Sequence, residues 1–283
     1  MMNPGVALVM EGGAMRGMFT AGVIDVMMEN EIDFPAAVGV SAGACFGCNL
    51  KSRQIGRVIR YNKRFCQDKR YCSLQSLLKT GDLYGAEFCY HTIPEELDPF
   101  DNEAYDENPM AFYVVATDVL TGKPVYKRLD RVDDECFLWM RASASMPMVS
   151  RPVKVGGYTL LDGGMSDAIP LRFMQGLGYR KNIVILTQPR SYIKEPVNEL
   201  MMKTALAKYP AMADVMTNRH SMYRFQRDYV FESEKNGSTL VICPDGYLGV
   251  SHTEHDPEVL QRVYDEGRRI ALRELERIKD FMQ

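Results

Sequence analysis

The sequence lacks the features that assign a protein to several common classes. Its 283 residues contain no apolar run near the roughly 20 residues that a membrane-spanning helix needs. No block of lysine and arginine forms a basic arm, and the formal net charge is −3, so we expect no nucleic-acid partner. No positively charged leader precedes the short apolar run of residues 6–10. Seven cysteines in apolar surroundings favour a reducing compartment, so we expect a cytoplasmic protein.

The sequence also has few candidate ligands for a metal or a nucleotide. Cys45 and Cys48 form a Cys-x-x-Cys pair without a second pair or a nearby histidine, and we interpret them as small buried residues on one helix face. His252 and His255 lack a third ligand. The glycines of residues 12–17 match neither a dinucleotide fingerprint nor a Walker A loop. We therefore expect no metal and no cofactor.

What the chain does contain is a Gly-x-Ser-x-Gly motif at residues 39–43. This pattern is typical of a nucleophile elbow, a tight strand-to-helix turn that exposes a serine. Residues 36–40 indicate a buried strand, and a helix lined with small residues is predicted from Ala42. The motif thus stands in the context that an elbow requires, and Ser41 is the candidate nucleophile.

A glycine turn after the first predicted strand could supply the oxyanion hole that a serine nucleophile needs. Gly12, Gly13 and Ala14 follow this strand and precede a helix. Glycines let backbone N–H groups approach a ligand closely, and a helix N-terminus adds positive potential. Beside an elbow on the next strand, we interpret these three residues as oxyanion donors.

The sequence offers two candidate assignments for the base that activates Ser41. Asp162 followed by His220 or His252 gives the chain order of an α/β-hydrolase triad. However, the residues before the motif have room for only one strand and one helix, which does not fit the standard layout of that fold. Alternatively, Asp162 could accept the serine proton directly, because it ends a predicted strand before two glycines. That role requires burial to raise its pKa above the usual value near 3.9.

The order of elements predicts an α/β fold with a central, mostly parallel sheet between two helical layers. Strand, helix, strand, helix occur in the first 50 residues, and further strands are predicted at 111–117, 125–129, 153–155, 158–161, 182–187 and 238–243. We expect a single domain over residues 1–283. Residues 196–234 form a candidate helical cap, and 256–282 indicate one long amphipathic C-terminal helix.

Four motifs in order carry a resemblance to a known family. They are Glu-Gly-Gly-Ala-Met-Arg-Gly at 11–17, Gly-Val-Ser-Ala-Gly at 39–43, Ala-Ser-Ala-Ser-Met-Pro at 142–147, and Asp-Gly-Gly at 162–164. Together they resemble the patatin-like phospholipase family, over residues 5 to about 170. The resemblance implies a Ser–Asp dyad without histidine, a glycine-rich oxyanion loop and lipid acyl hydrolase activity, with no metal in the chemistry.

Carried over by position, the resemblance makes Ser41 the nucleophile, Asp162 the base and residues 12–14 the oxyanion loop. Supporting positions are Arg16, in a structural or anion-holding role, and the glycines of the two other motifs (Gly39, Gly43, Gly163 and Gly164). The loop departs from the family pattern at two residues. Ala14 replaces a glycine, so we expect it to keep its N–H donor and to avoid a positive φ. Glu11 replaces the residue that is more usual at this position in the family, and we expect this change to have little effect on the loop.

We therefore expect a serine lipid acyl hydrolase of the phospholipase A or esterase type. Its substrate would be a phospholipid or another fatty-acyl ester, with transient contact to a membrane surface. Two alternatives stay open. The protein could be a lipid- or acyl-binding regulatory protein with little turnover, or an esterase with a Ser-His-Asp triad.

Overall fold

A twisted β-sheet forms the centre of the molecule. The structure is a computed structural model that describes residues 5–283. In this part of the chain the sheet has eight strands: β1 (Val6–Met10), β2 (Ala36–Val40), β3 (Ala111–Asp118), β4 (Pro124–Arg128), β5 (Val153–Val155), β6 (Tyr158–Asp162), β7 (Lys181–Ile185) and β8 (Thr239–Ile242).

The strand order is β5-β6-β3-β2-β1-β7-β8, and β4 pairs with β3. The five strands from β3 to β8 in this order run parallel, whereas β4, β5 and β6 pair antiparallel at one end. The central strands are buried on both faces, as parallel sheets are. The predicted α/β class with a mostly parallel sheet is confirmed.

Helices cover both faces of the sheet. They are α1 (Gly17–Glu29), α2 (Ala42–Lys51), α3 (Arg57–Phe65), α4 (Leu74–Thr80), α5 (Asn102–Glu107), α6 (Cys136–Ala144), α7 (Leu171–Gly176), α8 (Glu199–Ala205), α9 (Pro210–Lys235), α10 (Pro257–Arg273) and α11 (Leu275–Met282), with a π-helix at Phe88–Leu97 and 3₁₀ turns at Ala14–Arg16 and Gly163–Met165.

Alternate residues of each strand enter different cores, which makes the fold three layers deep. On β1, Leu8 and Met10 pack in the core that holds α1, α2, α3, α6 and α10. Ala7 and Val9 face the opposite way and pack with α7 and α9. This alternation follows from the two-residue period of a strand.

The C-terminal helix differs from its prediction. A single helix over 256–282 was expected, but Glu274 adopts φ −89° and ψ 2° and separates α10 from α11. The buried stripe continues across the break, from Ile270 to Ile278. Because the apolar spacing is nearly the same on both sides, the sequence pattern does not reveal a one-residue interruption.

Helix α10 crosses α1 at very close range. A Cβ atom added to Gly22 would lie 2.1 Å from the Tyr264 carbonyl oxygen, and one added to Gly267 would lie 2.1 Å from the Phe19 carbonyl oxygen. The Tyr264 hydroxyl donates to the buried carboxylate of Asp25 at 2.6 Å. Only glycine permits this approach, so the crossing depends on both glycines.

The region predicted as a helical cap is helical. Helices α8 and α9 pack on each other through buried methionines, and these contact Leu161 and Met165 beside the end of β6. No helix in residues 5–283 combines the length and the apolar character needed to cross a membrane.

Candidate active site

Ser41 lies on a strained turn between β2 and α2. Its backbone has φ 55° and ψ −122°, a conformation that L-residues rarely adopt. The N–H groups of Ala44 and Cys45 donate to its carbonyl oxygen and start the helix. A Cβ on Gly39 would lie 2.3 Å from the Gly43 carbonyl oxygen, so the turn needs glycine at that position. The structure thus places Ser41 on the elbow that the motif predicted.

A second serine, from α6, holds this elbow. The backbone N–H of Ser41 donates to the Ser143 hydroxyl oxygen at 2.9 Å, and both residues are buried. Ser143 belongs to the Ala-Ser-Ala-Ser motif at 142–145, which the sequence analysis noted without giving it a role. Because its N–H is engaged in this bond, the donors of an oxyanion hole must come from other residues.

Strand register brings Asp162 to Ser41. Val40, at the end of β2, pairs with Val115 of β3, and the next residue of β3, Ala116, pairs with Asp162 of β6. Strand β4 occupies the other edge of β3 at Ala116. Strand β6 therefore lies on the same edge as β2, just beyond its end, and Ser41 and Asp162 face one cavity.

Burial dominates the electrostatics of Asp162. Desolvation raises the pKa of its carboxyl group, and three weaker influences oppose this: a hydrogen-bonding interaction with Ser41, the charge of Arg219 and the N–H of Gly164. The Gly164 N–H donates to Asp162 at 2.7 Å, and Arg219 donates through Nε to the Gly164 carbonyl oxygen at 2.8 Å. The raised pKa is the property that a carboxylate base needs.

The glycine loop borders the same cavity, and one prediction about it is wrong. Ala14 was expected to avoid a positive φ but has φ 48°. The bond from the Arg16 N–H to the Gly13 carbonyl oxygen closes a tight turn with Ala14 as its first central residue, a position at which some tight turns require a positive φ. In the described part of the chain, no carbonyl oxygen accepts a bond from the N–H groups of Gly12, Gly13 or Ala14. These donors are therefore available to a ligand.

Glu11 supports this loop more than the sequence suggested. Its buried carboxylate accepts bonds from the Thr187 backbone N–H at 2.6 Å and from the Tyr223 hydroxyl. The Thr187 hydroxyl in turn donates to the Gly12 carbonyl oxygen at 2.9 Å. A buried carboxylate without partners would be costly, so Glu11, Thr187 and Tyr223 form one unit. The one sequence signal for this unit was the charged residue Glu11 beside the loop.

The histidines of the triad alternative bond to groups other than Ser41. His220 Nδ1 lies 3.1 Å from the Thr217 carbonyl oxygen, and His252 Nε2 lies 3.1 Å from an Arg16 guanidinium nitrogen. His252 borders the cavity of Ser41, but its hydrogen-bonding nitrogen faces Arg16. His255, the other histidine of the His252 and His255 pair, contacts the Cys66 carbonyl oxygen. No cluster of three metal-ligating side chains occurs in residues 5–283.

Two cavities meet at Ser41. One is apolar and encloses about 890 Å³, counting its open mouth, and its walls are largely aromatic residues, methionine and cysteine. The other is polar and encloses about 570 Å³, counted in the same way. Both include Ala14, Ser41 and Met146 in their walls. The serine hydroxyl therefore lies at the boundary between an apolar and a polar space.

The polar cavity is lined by several cationic groups. Arg16, Lys194 and Arg219 border it, together with the His252 imidazole and the carboxylates of Glu11 and Asp162. Burial and the neighbouring charges of Arg219 and Arg16 lower the pKa of Lys194 to about 8. The sequence analysis identified only Arg16 among these cations, because the others lie far along the chain on separate elements.

The Cys45–Cys48 pair lies in the wall of the apolar cavity. All seven cysteines are free thiols. Burial raises the pKa of Cys45 to about 11 and that of Cys48 further. Thiols with raised pKa values are poor nucleophiles and poor redox groups, so the interpretation of small side chains on one helix face agrees with their surroundings.

These features define an α/β protein with a serine on an elbow beside a buried carboxylate. The family model described as Patatin-like phospholipase matches residues 8–174, which is more than half of the chain. The chain belongs to the patatin-like phospholipase family, as its four motifs indicated. Family membership supports a hydrolase that acts on lipids. A second family model, Domain of unknown function (DUF6363), matches residues 209–283.

Several known proteins are similar to this chain. The uncharacterized protein YjjU of Escherichia coli is 31% identical over 212 residues, which cover 69% of this chain and 55% of YjjU. The uncharacterized NTE family protein Rv1063c of Mycobacterium tuberculosis is 27% identical over 183 residues, 65% of this chain and 49% of that protein. Lysophospholipase nte1 of Aspergillus fumigatus is 26% identical over 185 residues, 61% of this chain and 11% of that protein.

The chain spans about half the length of the first two of these relatives. Among solved structures, VipD from Legionella pneumophila superimposes with a TM-score of 0.49 at 15% identity, which covers 96% of this chain and 67% of VipD.

Proposed function

We propose that this protein is a serine lipid acyl hydrolase of the phospholipase A or esterase type. One observation carries the proposal: strand register brings the elbow serine and a buried carboxylate with a raised pKa to one cavity. The similarity to a lysophospholipase supports an acyl ester of a lipid as the substrate.

In the first half of the reaction, Ser41 Oγ attacks the ester carbonyl carbon and gives its proton to the Asp162 carboxylate. The developing oxyanion is stabilised by the N–H groups of Gly12, Gly13 and Ala14, which have no acceptor in the described part of the chain. The tetrahedral intermediate then loses the alcohol, which takes the proton from Asp162. An acyl ester on Ser41 remains.

In the second half, Asp162 accepts a proton from a water molecule that attacks the acyl ester. The same N–H groups hold the second oxyanion. Collapse of this intermediate releases the fatty acid, and the proton returns to Ser41 Oγ. The apolar cavity on one side of Ser41 has the chemistry to hold the acyl chain during both halves.

We also propose that the whole chain, and not residues 8–174 alone, makes up the hydrolase domain. Strands β7 and β8 belong to the same sheet as β1, and α9 brings Arg219 and Tyr223 to the cavity. Helices α8 and α9 act as the cap over the end of β6. A cytoplasmic location, transient membrane contact and the lack of a nucleic-acid partner stay predictions from the sequence.

A fluorophosphonate probe tests the dyad, because it reacts only with an activated serine. We expect an adduct on Ser41 by peptide mass spectrometry, no adduct in Ser41→Ala, and a labelling rate that falls about 10²- to 10⁴-fold in Asp162→Asn. His220→Gln should label as the wild type does. If labelling instead depends on His220 or His252, the triad alternative is correct.

The regulatory alternative predicts a different result. A lipid-binding protein with little turnover would bind a fatty-acyl ligand while Ser41 stays unlabelled in the folded protein. Circular dichroism of each variant establishes that a loss of labelling is not a loss of fold.

A further inference from the structure

We propose that the polar cavity holds a phosphate group on the leaving alcohol of the substrate, and that Lys194 and Arg219 make the protein prefer esters with an anionic leaving group. This inference rests on the proposed hydrolase function, because that function sets how the substrate ester lies at Ser41. The acyl chain is assigned to the apolar cavity and the leaving alcohol to the polar cavity.

The polar cavity carries a surplus of positive charge. Three cationic side chains, Arg16, Lys194 and Arg219, border the cavity, against the two carboxylates Glu11 and Asp162. Glu11 is already satisfied by Thr187 and Tyr223. The cavity therefore has one more cationic side chain than carboxylates, and this surplus favours an anion.

The cations at this cavity also have unused hydrogen-bond donors. Among residues 5–283, none of these three cations forms an ion pair with a carboxylate within 4.0 Å, although surface cations of the same chain do so repeatedly. Arg16 Nε is buried and lacks an acceptor in this part of the chain. The Lys194 ammonium group contacts the ring of Tyr223, with its nitrogen 5.8 Å from the ring centroid. Guanidinium and ammonium groups with unused donors suit the three outer oxygens of a phosphate.

The two cavities also fit the two parts of one ester. The apolar cavity accommodates an acyl chain, and it meets the polar cavity at Ser41. An ester whose carbonyl carbon reaches Ser41 with its acyl chain in the apolar cavity directs its alcohol into the polar one. The alcohol is the part that bears the phosphate in a glycerophospholipid. The cations thus lie on the side of the reacting ester where that charge would be.

Two of these cations, Lys194 and Arg219, lie outside the segment that matches the phospholipase family, whereas Arg16 lies inside it. Lys194 follows β7 between the two matched segments, whereas Arg219 and His252 belong to residues 209–283. The inference therefore gives the C-terminal segment a role in recognising the leaving group, separate from the chemistry at Ser41.

Hydrolysis of water-soluble dihexanoyl lipids below their micellar concentrations tests the preference without interference from membrane binding. We expect kcat/KM for dihexanoylphosphatidylglycerol to exceed that for uncharged dihexanoylglycerol by at least about tenfold. Lys194→Met should lower this ratio about tenfold, because one bond to a charged group is lost. Lys154→Met is the matched control, since Lys154 is an exposed lysine on β5 that borders neither cavity. An equal ratio in Lys194→Met and the wild type overturns the inference.

Binding without turnover separates this inference from the proposed function. In Ser41→Ala protein, sn-glycerol 3-phosphate should raise Tm, glycerol should not, and the added substitution Lys194→Met should remove the shift. A shift of the same size with inorganic phosphate would identify free phosphate as the ligand, which contradicts a headgroup site. If this Lys194-dependent binding is found but Ser41 is never labelled by the probe, the anion site is supported and the proposed hydrolase function is refuted.

Discussion

Ser143 accepts a hydrogen bond from the backbone N–H of Ser41 at 2.9 Å, across 102 residues of sequence. The bond ties the end of α6 to the elbow between β2 and α2. Ser41 has an unfavourable backbone conformation, with φ 55°, and such conformations persist only where the surrounding structure enforces them. Ser143 is therefore a positioning residue for the proposed nucleophile.

Ser143→Ala should weaken both the elbow and the activity. The buried N–H of Ser41 would lose its acceptor, which costs about 1–3 kcal/mol in the free energy of unfolding. We expect the labelling rate of Ser41 to fall by a larger factor than the loss of stability explains. The reason is that the backbone that positions the Ser41 hydroxyl is no longer held by Ser143. Urea unfolding and probe labelling measure the two effects.

Ser145→Ala is the control for that experiment. Its buried hydroxyl donates to the Arg141 carbonyl oxygen at 2.8 Å on the same helix end, without a bond to Ser41. This variant should lose stability but keep its labelling rate. Equal labelling rates in the two variants would show that Ser143 does not position Ser41.

Asp162→Asn should raise stability while it abolishes activity, with a defined pH dependence. Burial raises the pKa of Asp162 above its ordinary value of 3.8, so the folded protein binds this proton more tightly than the unfolded chain. The charged carboxylate therefore lowers the free energy of unfolding above the raised pKa, and this penalty vanishes below pH 3.8. The stability gain of Asp162→Asn should grow as pH rises across this interval and then stay constant.

Urea unfolding of both proteins at a series of pH values measures the difference. Taking the difference cancels the contributions of Asp25 and Asp167, whose pKa values are also raised by burial. A gain that shrinks with rising pH would mean that Asp162 is stabilised as a carboxylate, and the proposed base would lose its physical support.

Tyr223→Phe should reduce kcat by disturbing the glycine loop. The Tyr223 hydroxyl donates to Glu11, whose carboxylate also holds the Thr187 N–H. Loss of a bond to a charged group costs about 1.5–3 kcal/mol, and the loop next to Glu11 carries the proposed oxyanion donors. Comparison with Tyr229→Phe isolates the effect, because Tyr229 lies on the same helix and bonds to Gln175 instead. Activity that falls equally in the two variants would refute a specific role for Tyr223.

The preference for an anionic leaving group should weaken at alkaline pH. Burial and the charges of Arg219 and Arg16 lower the pKa of Lys194 to about 8, and Glu11 opposes them. Below this pH the ammonium group attracts an anion, and above it the neutral amine does not. The ratio of kcat/KM for dihexanoylphosphatidylglycerol to that for dihexanoylglycerol should therefore fall between pH 7 and 9. Burial and the same cations lower the pKa of His252, which keeps it neutral in this range.

Lys194→Arg checks the assignment of this transition. A guanidinium group stays charged throughout the range, so the ratio should become independent of pH in this variant. A transition that persists in Lys194→Arg would belong to another group.

Sequence reasoning found the parts of the site whose signals are local. The elbow at Ser41, the glycine loop and Asp162 each lie in a short motif with its own turn chemistry, and β2 and α2 begin and end near the predicted residues. The order of the motifs indicated the family, which the match over residues 8–174 confirms.

The parts that the sequence did not reveal depend on long-range packing. Lys194 and Arg219 were not found from the sequence, because they reach the cavity only through the loop after β7 and through α9. Ala14 was expected to avoid a positive φ, but it is the first central residue of a tight turn and has φ 48°. Glu11 was expected to matter little, because its two partners lie 176 and 212 residues away.

The close crossing of α1 and α10, which requires Gly22 and Gly267, links two segments of the chain in evolution. Gly22 lies in the segment that matches the phospholipase family, and Gly267 lies in the other matched segment. A side chain gained by either glycine would collide with the backbone of the other helix. We therefore expect relatives that carry both segments to keep this pair together, and relatives that lack the second segment to cover α1 in some other way.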